Sequence, residues 1–193
     1  MPRPREFNEA SALQAAIKCF WQRGYEATSM RDLAASMGIS LPSLYGTFGD
    51  KEELFVKALE QYRDQSARTR IKRLEESLPP KQAIKTFIEE IIQRSVDDKE
   101  RRGCFLINSA LEVAPHDAKL AALIAECLGE IEAFFHRSVK AAQIEGTVSK
   151  NRNARDLARL LFGVLLGIRV LARSKPDRAL LKGIARPALA LLD

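Results

Sequence analysis

The chain has 193 residues, 46% apolar and 29% charged, with ten glycines, eight prolines and a formal net charge of +6. That composition excludes collagen, low-complexity disorder and a disulfide-stapled miniprotein, and a chain of this length buries about 70% of its unfolded surface without help from a metal or a disulfide. The longest apolar run, Leu160 to Ile168, is closed by Arg159 and Arg169 and falls well short of the ~20 residues that cross a bilayer.

The start of the chain is basic but lacks the apolar core of a signal peptide, so the protein is expected in the cytoplasm with no membrane partner. Cys19, Cys104 and Cys127 are odd in number and lack metal-type spacing, as reduced thiols in such a compartment would be. Apolar residues recur at three- and four-residue spacing and alternating strand patterns do not occur, so an all-α fold is expected. Phe7, Ala10, Leu13, Ile17 and Phe20 make the stripe of a first helix, which Gly24 ends. Thr28 and Ser29 precede a short second helix, with Asp32 as the capping-box partner of Ser29, Leu33, Ala34 and Met37 facing inward, and Gly38 at the end.

Ser40 caps a third helix with Pro42 in its first turn and Leu44 and Phe48 inward. Asp50 and Glu53 then start a long fourth helix from Lys51 to about Ser77, stopped by Pro79 and Pro80. Further helices are expected near 81–97, 103–114, 117–145, 153–174 and 177–192, punctuated by Gly103, Pro115, Gly146 and Pro176. The expected division is residues 1–50 as one small domain, linked through helix 51–77, and residues 51–193 as a larger helical domain.

A positive net charge permits nucleic acid as a partner, but residues 1–50 hold five cations (Arg3, Arg5, Lys18, Arg23, Arg31) and five acids (Glu6, Glu9, Glu26, Asp32, Asp50). Bulk charge therefore does not select this end. The spacing does: Leu33 and Ala34, the Met37-Gly38-Ile39 turn, and Leu44 supply the small contact residue, the turn glycine and the apolar anchors of a helix-turn-helix.

The segments Gly24 to Ala34, Gly38 to Tyr45 and Phe48 to Phe55 resemble the tetracycline-repressor (TetR/AcrR) family of bacterial regulators. Where many relatives carry a histidine before the phenylalanine equivalent to Phe48, this chain has Thr47. The resemblance implies an N-terminal helix-turn-helix DNA-binding domain and a C-terminal ligand-binding and dimerisation domain. It implies a homodimer on a palindromic double-stranded operator, released by a small-molecule effector. No phosphate-cradling glycine loop or nucleophile elbow occurs, and Cys104 and His116 lack an activating context, so no enzyme activity and no cofactor are expected. Tyr45 is similar to the family's phosphate-contacting tyrosine.

Lys51 stands in the first turn of a helix, where the macrodipole disfavours a cation, so a phosphate is one reason for it and a solvated surface position the other. Thr28 and Ser29 can donate to a phosphate or simply cap the second helix. On the third helix Leu41 or Pro42 can meet a thymine methyl, and Ser43 or Thr47 can make single hydrogen bonds. With no Arg, Asn or Gln on that helix, Arg31 is the candidate for a guanine contact, with a surface ion pair as the alternative, while Arg3 and Arg5 could enter the minor groove.

In the larger domain Leu160, Gly163, Val164, Gly167 and Leu171 carry an apolar seam with room for close approach, which resembles the family's dimerisation helix. Cys104, Asn108 and Glu112 share one helical stripe and are candidates to line an effector pocket with Phe87, Phe105, Phe134 and Phe135. An interhelical hydrogen-bond network is the competing reading. Cys104 is similar in place to the electrophile-sensing cysteine of some family members, so a thiol- or ligand-sensing protein with little operator affinity is the second functional reading. His116 and His136, each four residues after a glutamate, make no metal site by spacing.

Overall fold

The structure, a computed structural model, describes residues 7–193. Among them there is no strand; the elements are α1 (Glu9–Arg23), α2 (Met30–Met37), α3 (Leu41–Phe48), α4 (Lys51–Arg63), a π turn (Asp64–Arg68), α5 (Thr69–Ser77), α6 (Pro80–Asp97), α7 (Phe105–Glu112), α8 (Ala118–Ile144), α9 (Ala154–Ser174) and α10 (Arg178–Ala190). Every helix expected from spacing is present, with ends within two residues of those expected. The expected fourth helix is one column in which α4, the π turn and α5 run on without a break.

The starts of the early helices follow local chemistry. Ser29 and Asp32 form a full capping box on α2, and Asp50 and Glu53 form another on α4. The Ser40 side chain accepts from the Ser43 backbone N–H at the start of α3. Gly38 closes α2 at φ +67°, the left-handed geometry that glycine adopts without a Cβ penalty.

The buried face of α1 is rotated from the expected stripe. Ala12, Ala16, Ile17, Cys19 and Phe20 are buried, whereas Ala10 is exposed and Leu13 only half-buried. Because α1 packs against both α2 and α4, its inward face must serve two neighbours.

Two apolar clusters hold the molecule. One joins Phe20, Leu33, Leu44, Phe48 and Phe55 to Phe105, Leu106, Leu120 and Ile124. The other joins Ile71 and Leu74 to Phe87, Ile88, Phe134, Phe135, Leu165, Ile168 and Leu181. The column from Lys51 to Ser77 takes part in both: Leu54, Phe55, Ala58 and Leu59 lie in the first, Ala67, Ile71 and Leu74 in the second. Apolar burial is worth about 25 cal/mol per Å², and the column buries side chains in both clusters, so it is anchored from both halves.

Candidate functional site

The α2-Gly38-α3 unit is held from inside by Leu33, Ala34, Met37, Leu44 and Phe48, all buried. Its outer side carries Ser29, Arg31, Pro42, Ser43 and Tyr45, all exposed, with Leu41 and Thr47 half-buried beside them. Tyr45 is 52% exposed, unusual for so large a ring and open to an outside partner. Arg31 is exposed and has no ion-pair partner among the described residues, whereas Arg23 meets Asp32 at 2.6 Å. Hydrogen bonds from Ser29, helped by Arg23, hold the Asp32 carboxyl down at about 2.

Thr28 is the correction on this surface. It is 1% exposed, and its hydroxyl donates to the Gly24 carbonyl at 2.5 Å. The side chain closes the α1–α2 loop and does not reach a partner outside; Ser29 supplies the exposed hydroxyl. Ser43 shares a 2.9 Å hydrogen bond with Ser40. Lys51 is half-buried, with Nζ 4.3 Å from the centre of the Tyr25 ring and 3.4 Å from the Glu26 carbonyl oxygen. The Tyr25 face and this carbonyl offset the unfavourable dipole position that the sequence points out. Arg3 and Arg5 lie outside the described residues.

A helix-turn-helix whose second helix turns its first-turn residues outward defines a DNA-binding protein, since such a helix can enter the major groove. The comparisons agree with this class. Residues 12–58 match the family described as bacterial regulatory proteins, tetR family, and residues 80–187 match the tetracyclin repressor-like C-terminal domain. The chain is 32% identical to the uncharacterized HTH-type transcriptional regulator YezE of Bacillus subtilis (strain 168), over 100% of both chains. It is 29% identical to the HTH-type transcriptional repressor ComR of Escherichia coli (strain K12), over 98% of this chain and 90% of that one. Among solved structures, a cysteine mutant of the TetR family transcriptional regulator CifR complexed with 26bp double-strand operator DNA superposes with a TM-score of 0.88 at 30% identity, covering 99% of this chain and 100% of that one. The chain belongs to the TetR family of bacterial transcriptional regulators; it is a DNA-binding regulator and not an enzyme.

The seven residues expected to line one pocket are not brought together. Phe134 and Phe135 are fully buried and pack with Phe87 in a three-ring cluster with centroids 5.1 to 5.5 Å apart. Glu112 reaches the reading head instead, where its Oε1 accepts the Glu26 backbone N–H at 3.0 Å. Asn108 donates to the Arg102 carbonyl at 2.8 Å. With Phe105 these two line an open cleft of about 330 Å³ against Trp21, Gly24 and Arg173. Because α7 lies over the α1–α2 loop, Asn108 and Glu112 face the joint between the head and the body, whereas Cys104, just ahead of α7, lines the inner cavity.

Only Phe87 and Cys104 line the inner cavity, whose free volume is about 40 Å³. Its walls come from α4, the π turn, α5, α6, α7, α8 and α9 together with Cys104, and carry Tyr62, Arg70, Arg94 and Arg169 among apolar side chains. Tyr62 donates toward the Cys104 sulfur at 3.8 Å, and burial together with Cys104 pushes the phenol well above its ordinary range. These arginines were missed in the sequence, although a signal existed: Arg70 sits in the helical stripe of Ala67, Ile71 and Leu74, where an unpaired charge is costly. Burial likewise raises the thiols of Cys19 and Cys127.

The residues expected at a subunit seam lie on α9. Leu160, Val170 and Leu171 are 43%, 47% and 36% exposed, a stretch of apolar surface on one helix. A Cβ added at Gly163 or Gly167 would meet nothing within 4 Å. No helix among the described residues is long and apolar enough to cross a membrane.

Proposed function

We propose that the protein is a homodimeric repressor that holds a palindromic operator and is released from it by a small molecule. The observation that carries this reading is the outward face of α3, with Pro42, Ser43 and Tyr45 exposed beside an exposed Arg31 that has no ion-pair partner among the described residues. Residues 1–50 act as the reading head and residues 51–193 as the ligand-binding and dimerisation part. Leu41, Pro42, Ser43 and Thr47 meet base edges, Ser29, Tyr45 and Lys51 hold phosphates, and Arg31 makes the strongest base contact. The Arg3 and Arg5 arm would add minor-groove contacts.

A two-fold axis is needed because half-sites on one face of B-DNA lie about 34 to 36 Å apart, beyond the reach of one head. The exposed apolar face of α9, with Gly163, Val164 and Gly167 between Leu160 and Leu171, supports pairing of two copies there. Gly167→Leu keeps helix propensity while filling the proposed seam. Light scattering at micromolar concentration is expected to report a monomer with normal helical content. A normal dimer would place the seam elsewhere.

The main test is a gel shift on the gene's own upstream DNA at rising salt. Neutralising several phosphates releases counterions, so affinity is expected to fall about a thousandfold or more between about 50 and 200 mM salt. Binding that ignored salt, or no binding to that DNA, would reject the operator reading and leave a sensing protein with little DNA affinity.

A further inference from the structure

Three arginines line the inner cavity among apolar side chains: Arg70 buried, Arg169 half-buried and Arg94 at the exposed edge. Arg70 is 9% exposed and pairs with Glu90 at 3.1 Å, but Glu90 also accepts from Arg73 at 2.6 Å. Among the described residues Arg169 bonds to neutral groups, the Ser95 hydroxyl at 2.9 Å and the Gly103 carbonyl, and makes no ion pair. Arg94 is exposed at the cavity edge and makes no ion pair among the described residues. No aspartate or glutamate lines the cavity. The Arg70 pKa is pushed down by burial and then by the charge of nearby Arg94. Around them stand Phe87, Ile91, Leu106, Leu128, Ile131 and Leu165.

Such a cavity discriminates by charge. A neutral apolar guest would desolvate the guanidinium groups without replacing their water, and a cationic one would add to the repulsion. A carboxylate satisfies the planar forks of Arg with charge-assisted hydrogen bonds, while an apolar tail takes the remaining wall.

The loop behind the cavity ties it to the reading head. Residue Gly103 touches Arg169, and its neighbour Arg102 accepts the Trp21 indole N–H through its carbonyl at 3.1 Å. The Arg102 guanidinium also lies 4.8 Å over the Trp21 ring, and Trp21 belongs to α1. A head group that draws Arg169 away from Gly103 would loosen this hold on α1. The free volume of about 40 Å³ is small, so a guest of several carbons fits only when the walls part. A ligand that fits one arrangement better than the other is what shifts a population.

We propose that the effector is a small monocarboxylate with an apolar tail, its head group on Arg94 and Arg169 beside Arg70, competing with the Gly103 carbonyl for Arg169. This rests on the ligand-released repressor reading and names the ligand class for it. The test is calorimetric titration of the full chain with butanoate, hexanoate, decanoate and benzoate, against hexanamide and hexylamine, with and without operator DNA. At least one carboxylate is expected to bind about tenfold or more tightly than the amide and the amine, and to weaken DNA binding. Arg94→Gln is expected to lower that affinity by about fivefold to tenfold with the unfolding midpoint unchanged, because Arg94 is exposed, while Arg178→Gln on α10 leaves it intact. Arg169→Gln is expected to weaken binding as well and, unlike Arg94→Gln, to alter Trp21 fluorescence in the free protein.

Equal affinity for hexanoate and hexanamide, no effect of Arg94→Gln, or no carboxylate binding at all would overturn the assignment. Release of DNA by the neutral amide alone would overturn it while leaving the repressor reading in place. Carboxylate binding that needs Arg94 but leaves operator affinity unchanged would keep the ligand class and overturn the release step.

Discussion

In the reading head, polar groups find partners three or four residues away: Ser29 with Asp32, Ser40 with Ser43, Asp50 with Glu53, and the Thr28 hydroxyl with the Gly24 carbonyl. In the body, Arg70, Arg94 and Arg169 come from α5, α6 and α9 and meet only because three helices enclose one cavity. The head is therefore organised by local rules, and its chemistry is left on the outside in water. The body places charge inside, where a group without a counter-charge is costly and a ligand that supplies one is correspondingly favoured. On the proposed reading the two serve different ends: a surface shaped independently of any ligand, and an interior whose charge a ligand can meet.

The two regions meet in a chain of aromatic rings. Phe20 and Phe55 are 4.9 Å apart, Tyr25 and Phe55 4.6 Å, Phe55 and Phe105 5.6 Å, and Tyr62 and Phe105 5.6 Å. Phe105 belongs to α7 of the body, yet it completes the apolar cluster of the head. Cutting this joint is the strongest way to break the contrast. Phe105→Ala is expected to cost about 3 to 5 kcal/mol in denaturant unfolding, a large part of the stability of a typical domain. Its further consequence is specific: the effector should still bind, but its effect on operator affinity should shrink. Full coupling in a folded Phe105→Ala protein would mean that the signal travels along the α4–α5 column alone.

A finer test separates the roles on the outer face. Arg31→Ala is expected to leave stability nearly unchanged, because the side chain is exposed, and to relax preference at one base pair per half-site by about 1 to 3 kcal/mol. Lys51→Ala should weaken binding to operator and random DNA alike, and also loses its contact with the Tyr25 ring, worth about 0.5 to 1 kcal/mol at an exposed site. Equal losses for Arg31→Ala on both DNAs, measured by competition, would assign it to phosphate.

The smallest effect tests whether the head keeps its own pH response. The Asp32 carboxyl lies at about 2 against an ordinary 3.8, so its ionised form is favoured by folding. That contribution is present above the ordinary value and is lost as pH falls from about 4 toward 2. Asp32→Asn should lower the stability of α2 at every pH above about 4, where the ionised carboxyl contributes, and flatten the fall between about 4 and 2. An unchanged acid limb in hydrogen exchange of α2 would assign the acid sensitivity to the body.

Read alone, the sequence determined the helices, their caps and the reading head. Capping residues, turn glycines and apolar spacing act over one or two turns, so Ser29-Asp32, Gly38 and the inward Leu33, Leu44 and Phe48 were all legible. That α9 leaves apolar side chains outside was legible for the same reason: too many apolar positions on one helix cannot all face its own core, and Leu160 and Leu171 are exposed. Spacing also misplaced things. It put Thr28 outside, although one hydrogen bond to Gly24 turns it in, and it gathered Glu112, Asn108, Cys104 and the phenylalanines into one pocket. Periodicity gives the face of a helix but not what that face meets. Only the packing of α7 over the α1–α2 loop sent Glu112 to Glu26, and only the packing of the α4–α5 column against α6, α7, α8 and α9 brought Tyr62, Arg70, Arg94 and Arg169 to one cavity. Those neighbours lie far apart along the chain, so their charges acquire a common purpose only when tertiary burial removes the water between them.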